Sequence, residues 1–333
     1  TVADMSAAAV YPLLLAVAQQ RGSFMRHLRR AVARGDSGGP GTDGRDGPGG
    51  EDQDDGAGAS AVSAKPLFWT LRDGVGSLPG RLTAALAERG VTVESRRPAE
   101  RLLRGGPGEP AWTVATGGGP VAADGLVLAL PAFRAADLLA PHDAESAALL
   151  RAIDYASVAV VTLEYAEESV PDGLTGTGLL VPRGSPAPRE LGGELLVTAC
   201  TYLDMKWPNV GRPGRRILRA SVGRFGDDRP AGLDDDALVS RVAAELEVLL
   251  GVSGAPSASG VARFGEALPQ YRVHHLLRVT GIEAAVRRLP AVSLAGASYH
   301  GVGIPACVAS GRTAARTVIE ALSGQRAGGA SLS

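Results

Sequence analysis

Three features of this 333-residue sequence predict an α/β fold of mixed α+β character. Near its C-terminal end an apolar run, 291–295, enters a turn carrying Gly296, Gly301 and Gly303 and opens into a helical stretch, 304–322. Upstream, the runs 158–165, 195–200 and 217–222 have the alternating or continuous apolar character of strands. Helical segments interrupt these strands irregularly, which favours a mixed sheet over a repeated βαβ pattern. At 45% hydrophobic residues the chain can bury a sizeable core, as one large or two ordinary domains.

Taken in order, residues 7–18 predict a helix that continues towards Arg26, Arg29 and Arg30. Its apolar part contains Pro12, lacks a basic leader and falls short of the about 20 residues that span a bilayer. Residues 35–64 are dense in Gly, Asp, Ser and Pro, bury too little apolar surface to offset chain entropy, and predict a disordered insertion. The acidic side chains there match no EF-hand spacing. Order resumes near Leu67. Ser77 is the expected N-cap of a helix carrying Leu82, Leu86 and Ala87; Gly90 closes it and 91–93 starts a strand. Short strands with glycine turns follow at 112–114 and 126–130, ending at Pro131-Ala132. Residues 234–250 form a helix with Leu238, Val242, Leu246 and Leu249 on one face and aspartates at its N-terminus. Residues 263–271 return as a strand, in which His274 and His275 just beyond would face opposite sides and could not share a metal.

The chemistry concentrates in the C-terminal turn. Pro305 stands in the first helical turn, where an amide N–H has no intrahelical partner. Free N–H groups and the positive end of the helix dipole make such a corner an anion-binding one. Gly301, Gly303 and Ala306 spell GxGxxA, a pattern that a tight strand-to-helix connection also produces. The formal net charge of −1 argues against nucleic acid as a partner. Cys200 and Cys307 are too few for a disulfide framework or a metal cage, read as structural thiols, and fit a reducing cytoplasm. No GxSxG, HExxH, Walker or CxxC motif supports hydrolase, zinc or nucleotide-hydrolysing chemistry. No metal site is predicted. His300 lies in the glycine turn, and no residue presents itself as a catalytic acid or base.

The string GASYHGVGIPACVASGRTAA resembles the C-terminal FAD-binding segment of the oxygen-dependent protoporphyrinogen and coproporphyrinogen III oxidases, a branch of the flavin amine oxidase superfamily. A second similar segment runs from Ala267-Leu268-Pro269-Gln270-Tyr271 to His275-Leu276. Three others resemble stretches around the family's tetrapyrrole cavity: 176–182, 200–208 and 222–225. Read alone, each is a strand end and a turn.

The resemblance implies a partial FAD-binding Rossmann-like domain plus a mixed-sheet substrate-binding domain. No strand with GxGxxG occurs near the N-terminus, so the dinucleotide-binding βαβ unit is expected to be missing and the chain to be a fragment holding FAD poorly by itself. The expected layout has the end of a helical substrate-side domain in 1–34, the insertion in 35–65, a central FAD-domain segment in 66–140, the substrate domain in 141–285, the C-terminal FAD segment in 286–323 and a flexible tail in 324–333.

By resemblance, Ala99, Ala297, Val302, Gly303 and Ile304 contact FAD. Thr177, Leu180 and Lys206 would touch the substrate, although Thr177 stands where some relatives carry a stacking aromatic. The implied reaction is oxidation of a porphyrinogen to a porphyrin in haem biosynthesis, with molecular oxygen as acceptor. An amine oxidase, a carotenoid desaturase and a non-catalytic remnant are the alternatives. Peripheral membrane contact, oligomeric state and the choice between the two porphyrinogens stay open.

Overall fold

The computed structural model describes residues 4–10 and 69–329, which fall into two compact units divided between Val93 and Glu94. The expected helix beyond Val10 and the insertion at 35–64 lie outside the described residues. In the first unit, helical turn α1 (Ala7–Val10) starts on the carbonyl of Ser6, which accepts from the Ala9 and Val10 amides at 3.1 and 2.9 Å. Helix α2 (Ser77–Ala87) ends as expected, with Gly90 at φ +75° donating to the Ala87 carbonyl at 2.9 Å.

Two local expectations fail in this unit. Gly76, not Ser77, is the N-cap: Ser77 is already the first helical residue, and its hydroxyl donates back to the carbonyl of the left-handed Gly74 at 2.8 Å. Residues 91–93 do not form a strand. Val91 and Val93 are exposed, and 91–93 pair with no strand among the described residues.

The second unit opens with an antiparallel meander of β1 (Ala99–Arg104), β2 (Trp112–Thr116) and β3 (Val121–Ala123). Trp112 is fully buried at its base, and its indole N–H donates to the Pro290 carbonyl at 2.8 Å. Strand β4 (Leu126–Leu128) then leads through Pro131 into helices α3 (Ala132–Leu139) and α4 (Ala144–Arg151), the latter capped by Asp143, which accepts from the Ser146 amide at 2.7 Å.

Five strands make the larger sheet, in the order β6-β7-β8-β5-β9: β5 (Tyr155–Ala166), β6 (Gly178–Leu180), β7 (Val197–Tyr202), β8 (Arg215–Val222) and β9 (Ala258–Pro269). All its described pairs are antiparallel. Along β5 every second residue from Ala159 to Tyr165 is buried, the period of a strand with one covered face. Between β7 and β8 lies the short α5 (Leu203–Lys206). Helix α6 (Asp235–Leu250) contributes Leu238, Val242 and Leu246 to the same core. Asp234 caps it, and Gly251 ends it at φ +70°.

Chain then passes through β9, helix α7 (His275–Val286), strand β10 (Val292–Leu294) and the long α8 (Ile304–Gly329). Pro269, without an N–H, ends β9 before Tyr271. His274 and His275 are therefore not in a strand. His274 turns the chain in the left-handed region at φ +66°, and His275 is the first residue of α7. Strand β10 pairs in parallel with β4, so the fold's mixed character lies between sheets. Gly125 admits α8 against that pair, since a Cβ there would lie 2.5 Å from Val318 Cγ1 and 3.2 Å from the Ala291 carbonyl oxygen. Among the described residues no helix is long and apolar enough to cross a membrane.

One buried carboxylate joins α6 to the entry of β7. Glu245, fully buried, accepts from the Leu196 and Val197 amides at 2.9 and 2.8 Å and pairs with Arg241 at 2.6 Å. Removing it orphans two amides and leaves Arg241 without its countercharge, held by the Leu191, Gly192 and Glu194 carbonyls. Glu245→Ala is expected to lower the unfolding free energy of this unit by about 3–5 kcal/mol, measured by urea titration.

Candidate functional site

The candidate site is the turn between β10 and α8. Ala295 N–H still follows the parallel pairing and donates to the Leu128 carbonyl at 3.1 Å. Beyond it the backbone passes through positive φ at Gly296 (+123°) and Gly301 (+152°) and makes no regular ladder. Every described hydrogen bond of the turn from Gly296 to Gly301 runs to a side chain. Gly296 N–H donates to Ser310 Oγ at 3.1 Å. The Tyr271 hydroxyl donates to the Ala297 carbonyl at 2.6 Å and accepts from the Gly301 amide at 2.8 Å. Tyr155 Oη accepts from the Ala132 amide at 2.7 Å and shares a hydrogen bond with Ser298 Oγ at 2.6 Å. His275 Nε2 faces the Tyr299 carbonyl at 2.9 Å and must carry the proton there.

Burial sets the protonation states. It pushes the Tyr271 phenol up to about 12, which keeps the hydroxyl a donor over the working pH range. It pulls the His275 imidazole below its ordinary value, so the ring is neutral and Nδ1 carries a lone pair with no partner among the described residues. The ring stacks on Tyr271 with centroids 3.8 Å apart and planes 12° from parallel.

At the far end of the turn the Cys307 amide donates to the Gly303 carbonyl at 3.0 Å, which makes Gly303 the cap of α8. The N–H groups of Ile304 and Ala306 then belong to the first helical turn and have no carbonyl within the helix, while Pro305 has none to satisfy. Val302 and Ile304 are 59% and 50% exposed, so this N-terminus opens outward. The glycine under steric constraint is Gly301: its Cβ would lie 2.7 Å from that of Ala306. Gly303 has no positive φ, and a Cβ there would meet only Pro305 Cδ at 3.8 Å.

Ala297, Val302, Gly303 and Ile304 thus fall together in one turn. Ala99 stands apart at the head of β1, exposed and paired with Thr116 beside a bulge. Arg97 holds that strand end, donating to Thr116 Oγ1 at 2.7 Å and to the Gly118 and Gly119 carbonyls at 3.1 and 3.0 Å.

Thr177 and Leu180 lie at the entry to and the end of the edge strand β6, whereas Lys206 ends α5, whose Asp204 bonds Arg216 and the Ile217 amide at the start of β8. The Thr177 carbonyl accepts from the Tyr202 amide at 3.0 Å. Leu180 is 84% exposed, and Lys206 ends α5 with its ammonium 5.8 Å from the Trp207 ring centroid. β6 pairs with β7 and β7 with β8, and Arg183 reaches the Phe225 carbonyl at 3.1 Å, at the end of β7 opposite to the one that Lys206 follows. Gly178 is required, because a Cβ would lie 2.3 Å from the Cys200 carbonyl oxygen.

His300 bonds Glu283 at 2.7 Å in an exposed position. Cys200 is buried with its thiol pushed up to about 12 by desolvation, an inert structural thiol. No local signal in the sequence marks Tyr155, Tyr271 and His275 as the side chains that hold the turn. Tyr271 and His275 lay within a noted string, whereas nothing links Tyr155 to Ser298 except the fold.

The chain belongs to the family of flavin containing amine oxidoreductases, whose model matches residues 3–319. It is similar to the coproporphyrinogen III oxidase of Bacillus subtilis, 35% identical over 193 residues that make up 58% of this chain and 39% of that protein. It is also similar to the human protoporphyrinogen oxidase, 31% identical over 266 residues, 78% of this chain and 53% of that one. A crystal structure from Exiguobacterium sp. 255-15, provisionally named a protoporphyrinogen oxidase, superimposes with a TM-score of 0.73 at 27% identity, covering 96% of this chain and 60% of its own. The chain spans about half the length of the curated relatives it matches.

Family membership implies FAD as the cofactor. The turn fits it: unpartnered first-turn amides, the positive end of a long helix and an open approach suit the polar edge of a planar ring that gains negative charge.

The neutral His275 also has a pH consequence. As its folded-state pKa lies below the ordinary 6.5, the unfolded chain takes up the proton first as pH falls. Its contribution to stability is complete above that ordinary value and is lost as pH drops below it. In urea titrations between about pH 7 and 5, His275→Gln is expected to show a flatter loss of stability than the parent.

Proposed function

We propose that this chain is part of an FAD-dependent oxidase that converts a porphyrinogen to a porphyrin with molecular oxygen as acceptor, in the cytoplasm. The observation that carries the reading is the side-chain-held turn at the start of α8, in a chain whose relatives are named as oxidases of coproporphyrinogen III and protoporphyrinogen. FAD, when bound, supplies the two-electron oxidation. The residues of this chain orient it. In this reading Ala297, Val302, Gly303 and Ile304 line the ring, the amides at the head of α8 hold its polar edge, and Ala99 meets the adenine through its backbone. Segments 66–140 and 286–323 serve the flavin, and 141–285 serves the substrate.

On the substrate side, Leu180 supplies exposed apolar surface for a pyrrole ring, and Thr177 marks the turn before it. Lys206 beyond the exit of β7, and Arg183 and Arg189 in the loop after β6, add cations at the two ends of the β6–β7 pair, suited to the carboxylates of a propionate-bearing tetrapyrrole. Coproporphyrinogen III carries four propionates and protoporphyrinogen IX two, so a cationic rim favours the former.

The direct test is to reconstitute with FAD the protein as its gene encodes it and to follow porphyrin fluorescence and oxygen uptake. Both are expected with porphyrinogen and neither with simple amines; amine turnover without porphyrin overturns the reading. The triple variant Arg183→Ala, Lys206→Ala, Arg189→Ala is expected to lose about tenfold in kcat/KM for coproporphyrinogen and less than about threefold for protoporphyrinogen. Equal losses on both substrates would remove the propionate role.

A further inference from the structure

We propose that Tyr271 is a positioning residue for the flavin: one phenol oxygen clamps the two ends of the turn that leads into α8 and so sets where the Val302 to Ile304 backbone meets the ring. The inference rests on the flavin reading of that turn.

The geometry has three parts. First, the turn lacks internal support. No described backbone-to-backbone bond holds residues 296–302, and Gly296 and Gly301 sit at φ values that regular structure does not use. Second, Tyr271 Oη supplies what is missing at both ends, as donor to Ala297 O at 2.6 Å and acceptor from Gly301 N at 2.8 Å. One atom bonded to two points four residues apart fixes their separation as no single bond could. Third, the phenol is itself held. Tyr271 is 3% exposed and stacks on the His275 ring, whose Nε2–H is spent on the Tyr299 carbonyl between the two clamped residues. The strand exit at 269–271 and the start of α7 therefore grip the turn from one side with three bonds.

The Gly301 amide is two residues from Gly303, the cap of α8. Releasing it frees the Gly301 backbone, and with it the path of the chain into the exposed amides at the helix start. A clamp of this kind leaves the core intact and changes ligand geometry. Tyr271 touches the turn and, in this account, not the flavin.

Tyr271→Phe keeps the ring on His275 and deletes both bonds. In the protein as its gene encodes it, reconstituted with FAD, the variant is expected to bind FAD about tenfold more weakly. The visible circular dichroism of the bound flavin should change, and kcat should fall while KM for the porphyrinogen holds within about twofold. The apoprotein should melt within about 4 °C of the parent. Parental affinity and dichroism in Tyr271→Phe overturn the clamp. So does weakened affinity with parental dichroism and a melting point lowered by more than that, which marks a bond of stability alone. If Tyr271→Phe does not fold, His275→Gln decides by the same spectrum: it removes the stacked ring but keeps a donor for Tyr299, and parental dichroism in it overturns the proposal. A parent protein that takes up no FAD at all overturns the flavin reading together with the clamp; a parent that binds FAD beside an unaltered Tyr271→Phe overturns the clamp only.

Discussion

Parallel pairing of β10 with β4 is the constraint on which the second unit is built. Two parallel strands need a crossover, and here it contains the whole five-stranded sheet, α6 and α7. Because the strands run the same way, both release their chains at the same edge. One departure, at Pro131, starts α3; the other, at Gly296, starts the turn into α8. Open α/β sheets bind their ligands beyond the carboxyl ends of parallel strands, and the candidate site lies at that edge. Gly125 gives α8 its close approach to the pair, and the Trp112 indole ties the neighbouring meander to the entry of β10.

The unit uses one device twice. Where backbone groups cannot find a ladder, a buried polar side chain with two bonding directions takes their place. Glu245 does so for the amides of Leu196 and Val197 at the entry to β7; Tyr271 does so for Ala297 and Gly301. The chemistry of the two differs for a reason. Two amides need only an acceptor, which a carboxylate provides, with Arg241 to balance its charge. A carbonyl and an amide need a donor and an acceptor together, which a protonated phenol supplies without burying a charge.

On the larger sheet the same economy of placement brings together strings far apart in the chain. Residues 176–182, 200–208 and 222–225 belong to three neighbouring strands and their exits; β6 runs along β7 at the sheet edge, with the exit of β7 at one end of that pair and the exit of β8 at the other. The exposed Leu180 and the bond from Arg183 to the Phe225 carbonyl give that edge both apolar and cationic character.

Sequence by itself determined the elements and their order. The helix of 234–250 with its aspartate cap, the strands around 158–165 and 217–222, and the glycine turn opening at Pro305 rest on local signals: apolar period, capping chemistry and proline geometry. The same strings also declared the family. Where single expectations failed, the reasons were mostly local: Ser77 Oγ donates to the Gly74 carbonyl three residues back, Pro269 ends β9 before the pair His274-His275, and among the described residues 91–93 pair with no strand. Only the tertiary structure put Tyr155 against Ser298 and Tyr271 against both ends of the turn. It also shows that the glycine under steric constraint is Gly301, against Ala306 Cβ. Such contacts join residues whose separation in the chain carries no period or motif, so they exist only once the crossover has brought β10 beside β4.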